Sequence, residues 1–290
     1  MLVRKPIKKI VKQPVIAQEI VRSLRLWKNE VAEHGHSPWV KVPDVRKMGR
    51  RHVHRCDKQG RITHLLSDGE YRAYQILLWR PNVLSVFEQV PLHLPTSLQV
   101  ARDLNIVHHR NYKNNTAYVA STDFIVKEVD VLTGEIITTA YSFKYWDQFF
   151  KIDDDGKVKL RKGRTMLKLK IEREYWRRKG VKFKLISEQD ATKARCWNLD
   201  WFSQDWDAEL EVNQKVEFSE AFLESWYAEQ RAPIQHHLDF TCSKLSFDKK
   251  ASITLFNVCA LEQLLPLDLS QKLKLYYPVK MLIEKDVSNV

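Results

Sequence analysis

The 290-residue chain carries 48 Lys and Arg against 36 Asp and Glu, a formal charge of +12, and 44% of its residues are apolar. That apolar supply suits a folded protein of roughly two domains, and no apolar run approaches the roughly 18 residues that cross a bilayer, so the expected location is the cytoplasm. The eight glycines form no GxGxxG or GxxxxGKS/T pattern, which argues against a glycine-rich nucleotide cradle, and Cys56, Cys196, Cys242 and Cys259 lack the CxxC spacing of a zinc ribbon.

Charge is unevenly spread along the chain. Residues 1–60 hold fifteen Lys/Arg against five Asp/Glu and residues 151–180 twelve against five, whereas residues 187–230 reverse the sign with three against eleven. Basic stretches of this kind suit a phosphate backbone, from which Lys and Arg displace condensed counterions; they equally suit a solvated surface.

Residues 1–45 have several prolines and little periodicity and are expected to form a basic arm with at most a short helix near Ile20–Val31. "HVHRC" with His64 fits no common zinc-finger spacing and is expected to line a basic strand facing DNA. "SDGEYRAYQILLW" reads as a helix with Ser67 as N-cap and Tyr71, Tyr74, Leu77 and Leu78 on its apolar face, ending before Pro81. A strand at Val83–Val90 and a polar connection containing "HHRNYKNN" follow. Two β-branched runs, Ala117–Glu128 and Ile136–Tyr145, then form a hairpin through Thr133-Gly134. After a charged, loop-like stretch, Thr165–Lys179 is expected to be helical, with Gly180 as its C-cap, and "VKFKLIS" to be a strand. The order αβββαβ fits a mixed sheet with helices on its faces. Beyond Ser187 the composition turns acidic and Trp-rich, which places a boundary there. The expected domains are 1–45, 46–187 and 188–290. The last holds helices at Val216–Glu229, Pro233–Lys244 and Asp248–Leu264 and a strand at Leu273–Ile283.

A hairpin symmetric about Thr133-Gly134 sets Asp123 opposite Lys144, with Cβ atoms about 4.5–5.5 Å apart. The pair reads either as a cross-strand ion pair or as part of a catalytic site. Glu70 has two readings as well: with Ser67 it has the S-x-x-E spacing of a capping box, and with Asp123 it offers the hard oxygens that Mg²⁺ demands for phosphodiester hydrolysis, beside a lysine able to stabilise developing charge.

"HRCDKQGRITHLLSDGE", "FEQVPL", "STDFIV" and "KLKIEREYW", in this order, resemble the TnsA family, the endonuclease subunits of heteromeric Tn-seven-type transposases. The similarity runs from about Trp39 to Asp190 and continues through "LFNVCALEQLLPLDL". The resemblance implies an α/β fold: a restriction-endonuclease-like αβββαβ core with a second, mostly helical, winged-helix-like C-terminal domain that meets a protein partner. It also implies Mg²⁺-dependent (or Mn²⁺-dependent) cleavage of the 5′ strands of double-stranded DNA at transposon ends. A TnsB-like transposase would act on the 3′ ends and a TnsC-like ATPase would regulate both. Carried over by position, Glu70, Asp123 and Lys144 are the catalytic residues. Glu70, Asp123 and the Phe143 backbone carbonyl would hold the metal, with Ser142 and Glu172 as further candidates. Ser142 departs from the pattern, because the wider nuclease class has an acid there and the TnsA family a glutamine. Two rival readings stand beside this one: a non-catalytic DNA-binding scaffold of the transposition complex, and a general repair or junction nuclease.

Overall fold

Strand alternation and helix periodicity give an α/β molecule, seen here in a computed structural model that describes residues 10–46 and 49–282. The first nine residues of the expected arm and residues 283–290 of the expected C-terminal domain lie outside the described residues. In chain order come α1 (Gln18–His34), β1 (His52–Cys56), β2 (Arg61–Leu65), α2 (Asp68–Leu78), β3 (Val83–Pro91), α3 (Leu94–Asp103), β4 (Ser121–Val129) and β5 (Ile136–Phe143). They continue with α4 (Trp146–Phe149), β6 (Phe150–Ile152), β7 (Val158–Leu160), α5 (Arg164–Arg178), β8 (Lys182–Ile186), α6 (Lys193–Phe202), α7 (Val212–Ala228), α8 (Ile234–Leu245) and α9 (Lys249–Leu261). No helix among the described residues is long and apolar enough to cross a membrane.

The central sheet has the order β3-β4-β5-β8, antiparallel except for β8, which runs parallel to β5. Successive side chains of a strand point to opposite faces, and both faces are covered. Phe124, Val126, Tyr141 and Phe143 join Tyr74, Leu77 and Leu78 of α2 in one core. Ile125 and Ala140 point the other way, into a core with Val100 and Ala101 of α3 and Ile171, Tyr175 and Trp176 of α5. A helix thus lies on each side of the sheet, as the αβββαβ order requires.

Several expectations are corrected. The helix in the arm is 17 residues long and contributes no buried residue. The connection after β3 contains α3, and the charged stretch before α5 holds the small β6-β7 hairpin. Helix α6 arises in the acidic, Trp-rich segment, capped by the Thr192 side chain, which accepts from the Arg195 N–H. The strand expected at Leu273–Ile283 does not form among the described residues, which show only isolated bridges at Pro233–Pro278 and Leu267–Met281. Pro278 has no N–H to donate to a ladder.

The hairpin register also differs. Phe124 pairs with Tyr141 and Ile125 with Ala140, so Asp123 stands opposite Ser142, two residues short of the expected Lys144. The turn closes one residue earlier because the Asp130 side chain accepts from the N–H groups of Leu132 and Thr133, and Gly134 takes a left-handed φ of 71° at its end. A two-residue shift preserves the face, and Lys144 still projects on the side of Asp123.

Candidate active site

Asp123 and Ser142 point toward α5, on the same face as Ile125 and Ala140. Asp123 is 9% exposed, and its Oδ2 collects three donors: the Ser142 hydroxyl at 3.0 Å, the Phe143 N–H at 2.7 Å and the Lys144 ammonium at 2.9 Å. Lys144 also donates to the Phe143 carbonyl at 2.5 Å. From α5, Glu172 enters the same place, 8% exposed, with Oε2 3.4 Å from the Ser142 hydroxyl and Oε1 buried without a hydrogen-bond partner. Ser142 therefore stands between the two acids.

Glu70 arrives from the other face of the sheet, on the first turn of α2. That turn sits directly on β5: a Cβ at Gly69 would meet the Phe143 ring at 2.1 Å, so only glycine permits the approach. Half of a capping box is formed, since the Glu70 N–H donates to Ser67 Oγ at 3.1 Å. Its carboxylate turns instead to the Leu66 N–H at 3.0 Å and the Gln89 side-chain amide at 3.2 Å. Gln89, on β3 between the pairs that flank Asp123, is 3% exposed and has a φ of 49°, and its other amide end accepts from Ser121 at 2.8 Å. A buried, left-handed glutamine inside a strand is uncommon. It ties Glu70 to the edge of the site.

These charges act on one another. Burial, then the charge of Asp123, raises Glu70 to about 7 despite the Leu66 N–H and Lys144, and the same two causes raise Glu172 to about 8. Burial works against the Lys144 ammonium, but Asp123, with Glu172 and Glu70 beyond it, outweighs burial and holds its pKa above the ordinary lysine value. At neutral pH Glu172 keeps its proton and can donate to Ser142, which donates in turn to Asp123.

Asp123, Ser142, Lys144 and Glu172 line a cleft of about 270 Å³, together with His109, Thr165 and Lys168. Glu70 is not among its lining residues; it is linked to the others by charge and through the α2–β5 contact. Three expected site residues, with Ser142 and Phe143, are thus gathered directly, and Glu70 stands behind them. Among the described residues no three His, Cys, Asp or Glu side chains are grouped to hold a metal ion; the ammonium of Lys144 engages Asp123, and the carboxylate of Glu70 is tied to Leu66 and Gln89. The residues of "HVHRC" are accounted for structurally: His52 pairs with Asp68 at 2.7 Å and stacks on Tyr71, and His54 lies 3.2 Å from Thr63. Gln89, His109 and Lys168 were not foreseen. Only the i, i+4 spacing of Lys168 and Glu172 gave a usable signal.

Residues 80–188 match the family model described as "TnsA-like endonuclease N terminal". That segment contains Asp123, Ser142, Lys144 and Glu172 and begins after Glu70. The chain is also 29% identical over 183 residues to "Transposon Tn7 transposition protein TnsA" of Escherichia coli, a match covering 63% of this chain and 61% of that relative's length. Both similarities are to TnsA proteins, and the matched segment contains the strands and the helix that build the cleft beside Asp123.

Proposed function

We propose that the chain is a metal-dependent DNA endonuclease that hydrolyses the 5′ strands at transposon ends, acting with TnsB-like and TnsC-like partners. The observation that carries this reading is the buried pair of acids, Asp123 and Glu172, bridged by Ser142 and set against the Lys144 ammonium in one cleft. The donor set fits a divalent cation: every donor is a hard oxygen, and Glu172 Oε1 is a buried acceptor with no partner in the protein. Asp123, Glu172 and the Phe143 carbonyl would hold it, with Ser142 through its hydroxyl and Glu70 behind them. A bound Mg²⁺ or Mn²⁺ supplies Lewis-acid polarisation of a phosphoryl oxygen and a water of lowered pKa.

The chain's own groups have separate tasks in this reading. Lys144, kept charged by Asp123, stabilises negative charge developing on the phosphoryl oxygens. The Phe143 N–H fixes the Asp123 carboxylate through Oδ2. Glu172 holds a proton near neutral pH and can release it as positive charge enters the cleft. Hydrolysis leaves a 3′-hydroxyl and a 5′-phosphate, and residues 188–290, acidic in their first part, would meet the TnsC-like partner.

The test is a strand-resolved cleavage assay with Mg²⁺ and the partner subunits. Asp123→Ala and Lys144→Ala should each lower 5′-strand cleavage by at least about 100-fold; parent-like cleavage by both sinks the reading. Ser142, shorter and uncharged where the nuclease class has an acid, favours a second reading, a DNA-binding scaffold without catalysis. Titration calorimetry separates the two, because a scaffold shows no Mg²⁺ or Mn²⁺ binding that Asp123→Asn abolishes.

A further inference from the structure

Lys168 lines the cleft and Arg164 stands one turn before it on α5, and among the described residues no acid pairs with either. Arg164, Lys168 and Glu172 succeed one another at four-residue spacing along α5, so one face of the helix leads from two exposed cations inward to the buried acid. Across the groove stands the segment after α3, where the Tyr112 ring, 63% exposed, is flanked by the guanidiniums of Arg164 at 4.5 Å and Arg110 at 5.3 Å. Among the described residues none of Arg110, Arg164 and Lys168 makes an ion pair. Arg177 and Arg178, at the far end of the same helix, are neutralised by Glu174 and Asp103.

This arrangement breaks local rules. The first turn of α5 has no acidic residue and no side-chain cap, and Arg164 places a cation at the positive end of the helix dipole. Lys168 is pushed below the ordinary lysine value by partial burial of its stem and then by Arg164 and Lys144, and His109 is pushed down to about 4 by burial and then by Lys168 and Arg164. Mutual repulsion of this kind is unfavourable in the free protein and is relieved by a polyanion.

We propose that Arg164 and Lys168, with Arg110 facing them, bind backbone phosphates of the DNA strand beside the bond that is cut and guide it toward Asp123 and Glu172. DNA as the ligand rests on the nuclease reading above; the phosphate-binding surface itself rests on the unneutralised cations and the exposed Tyr112 face between them. On the nuclease reading, a row of cations running toward that cleft suits a phosphodiester chain better than an acidic peptide, which carries no phosphodiester bond.

Full-length protein, free of divalent ions, is titrated against a fluorescein-labelled 30-base-pair duplex by anisotropy between 50 and 200 mM salt. Without metal nothing is cleaved, so the measurement stands whether or not the chain hydrolyses DNA. Each phosphate contact contributes about 0.9 to the slope of log affinity against log salt. Arg164→Gln/Lys168→Gln should lower that slope by about 2 and weaken binding at 0.1 M salt by roughly eightfold per residue removed. Lys272→Gln, whose ammonium lies over Trp197 in the C-terminal region, should change neither. Both substituted residues are exposed, and loss of Arg164 relieves the helix dipole, so the thermal midpoint should not fall. An unchanged slope, absence of parent binding at 50 mM salt, or competition by polyglutamate as effective per charge as DNA would each overturn the proposal.

Discussion

Glu172 is a carboxylate whose surroundings prefer it neutral. Burial and Asp123 raise it to about 8, while an unfolded chain ionises it near 4.5. Below the unfolded value the folded and unfolded states are protonated alike. As pH rises from about 4.5 the unfolded chain gives up this proton while the folded one keeps it, so stability falls until the folded group also ionises near 8. Glu70, at about 7, acts in the same sense. The metal-free protein should therefore melt at a higher temperature at pH 5.5 than at pH 9. Glu172→Gln should remove part of that slope and stabilise the protein at pH 9 by on the order of 1–3 kcal/mol, a rise of several degrees. A thermal midpoint of Glu172→Gln that tracks the parent at both pH values contradicts this account. Asp123 and Lys144 were legible in the sequence because charged residues inside a β-branched hairpin demand a reason. Glu172 was not separable from a surface charge, since α5 is polar on most of its circumference and its burial depends on the sheet beneath it. Gln89 was invisible as a site residue: nothing in "FEQVPL" reveals a left-handed backbone that aims an amide at Glu70.

At the level of elements, α2 and β5 meet where no side chain fits between them. Gly69 lies inside a helix, where alanine is intrinsically favoured by about 1 kcal/mol. The methyl group would lie 2.1 Å from Cε1 and 2.3 Å from Cζ of Phe143, a ring that is itself 4% exposed and has little room to yield. Overpacking of this kind costs about 1–3 kcal/mol, so with that preference subtracted Gly69→Ala should be net destabilising by up to about 2 kcal/mol, read as a lower urea midpoint. If the proposed nuclease activity holds, it should also reduce cleavage, because Glu70 and Lys144 flank the two residues in collision. A stabilised variant would mean that α2 can lift from the sheet freely. The sequence signalled both elements through their periodicities, 3.6 in one and 2 in the other, and it signalled Gly134 as a turn residue. The turn's centre was not legible, because it depends on whether the Asp130 side chain or the Thr133-Gly134 pair governs closure, and here the aspartate governs. The error was harmless to the site only because it was an even number of residues.

Over the whole molecule, the change in composition at residue 187 marks a change of surface, and the core runs through it. Tyr74, Phe124 and Phe143 belong to the same apolar cluster as Ala191, Leu199, Phe202, Phe222 and Phe256. Polar contacts cross as well: the Tyr71 hydroxyl donates to Asp200 at 3.0 Å and the Arg72 guanidinium to the Ala191 carbonyl at 2.9 Å. Tyr71, Arg72 and Tyr74 all lie on α2, the helix that carries Glu70. A surface rule such as charge sign cannot reveal a shared core, because buried side chains on either side are equally apolar. The C-terminal helices should therefore support the site mechanically. A fragment ending at residue 187 leaves the outer face of α2 and Ile186 exposed to water, at about 25 cal/mol for each Å² of apolar surface uncovered, and should lose cooperative melting, while the full chain melts in one transition. Phe202→Ala, at a fully buried ring packed on Phe256, should cost about 3–5 kcal/mol and lower hydrogen-exchange protection in α2 along with that in α9. Independent units would instead give a fragment that melts as sharply as the parent, and a Phe202→Ala protein whose α2 amides exchange no faster than before.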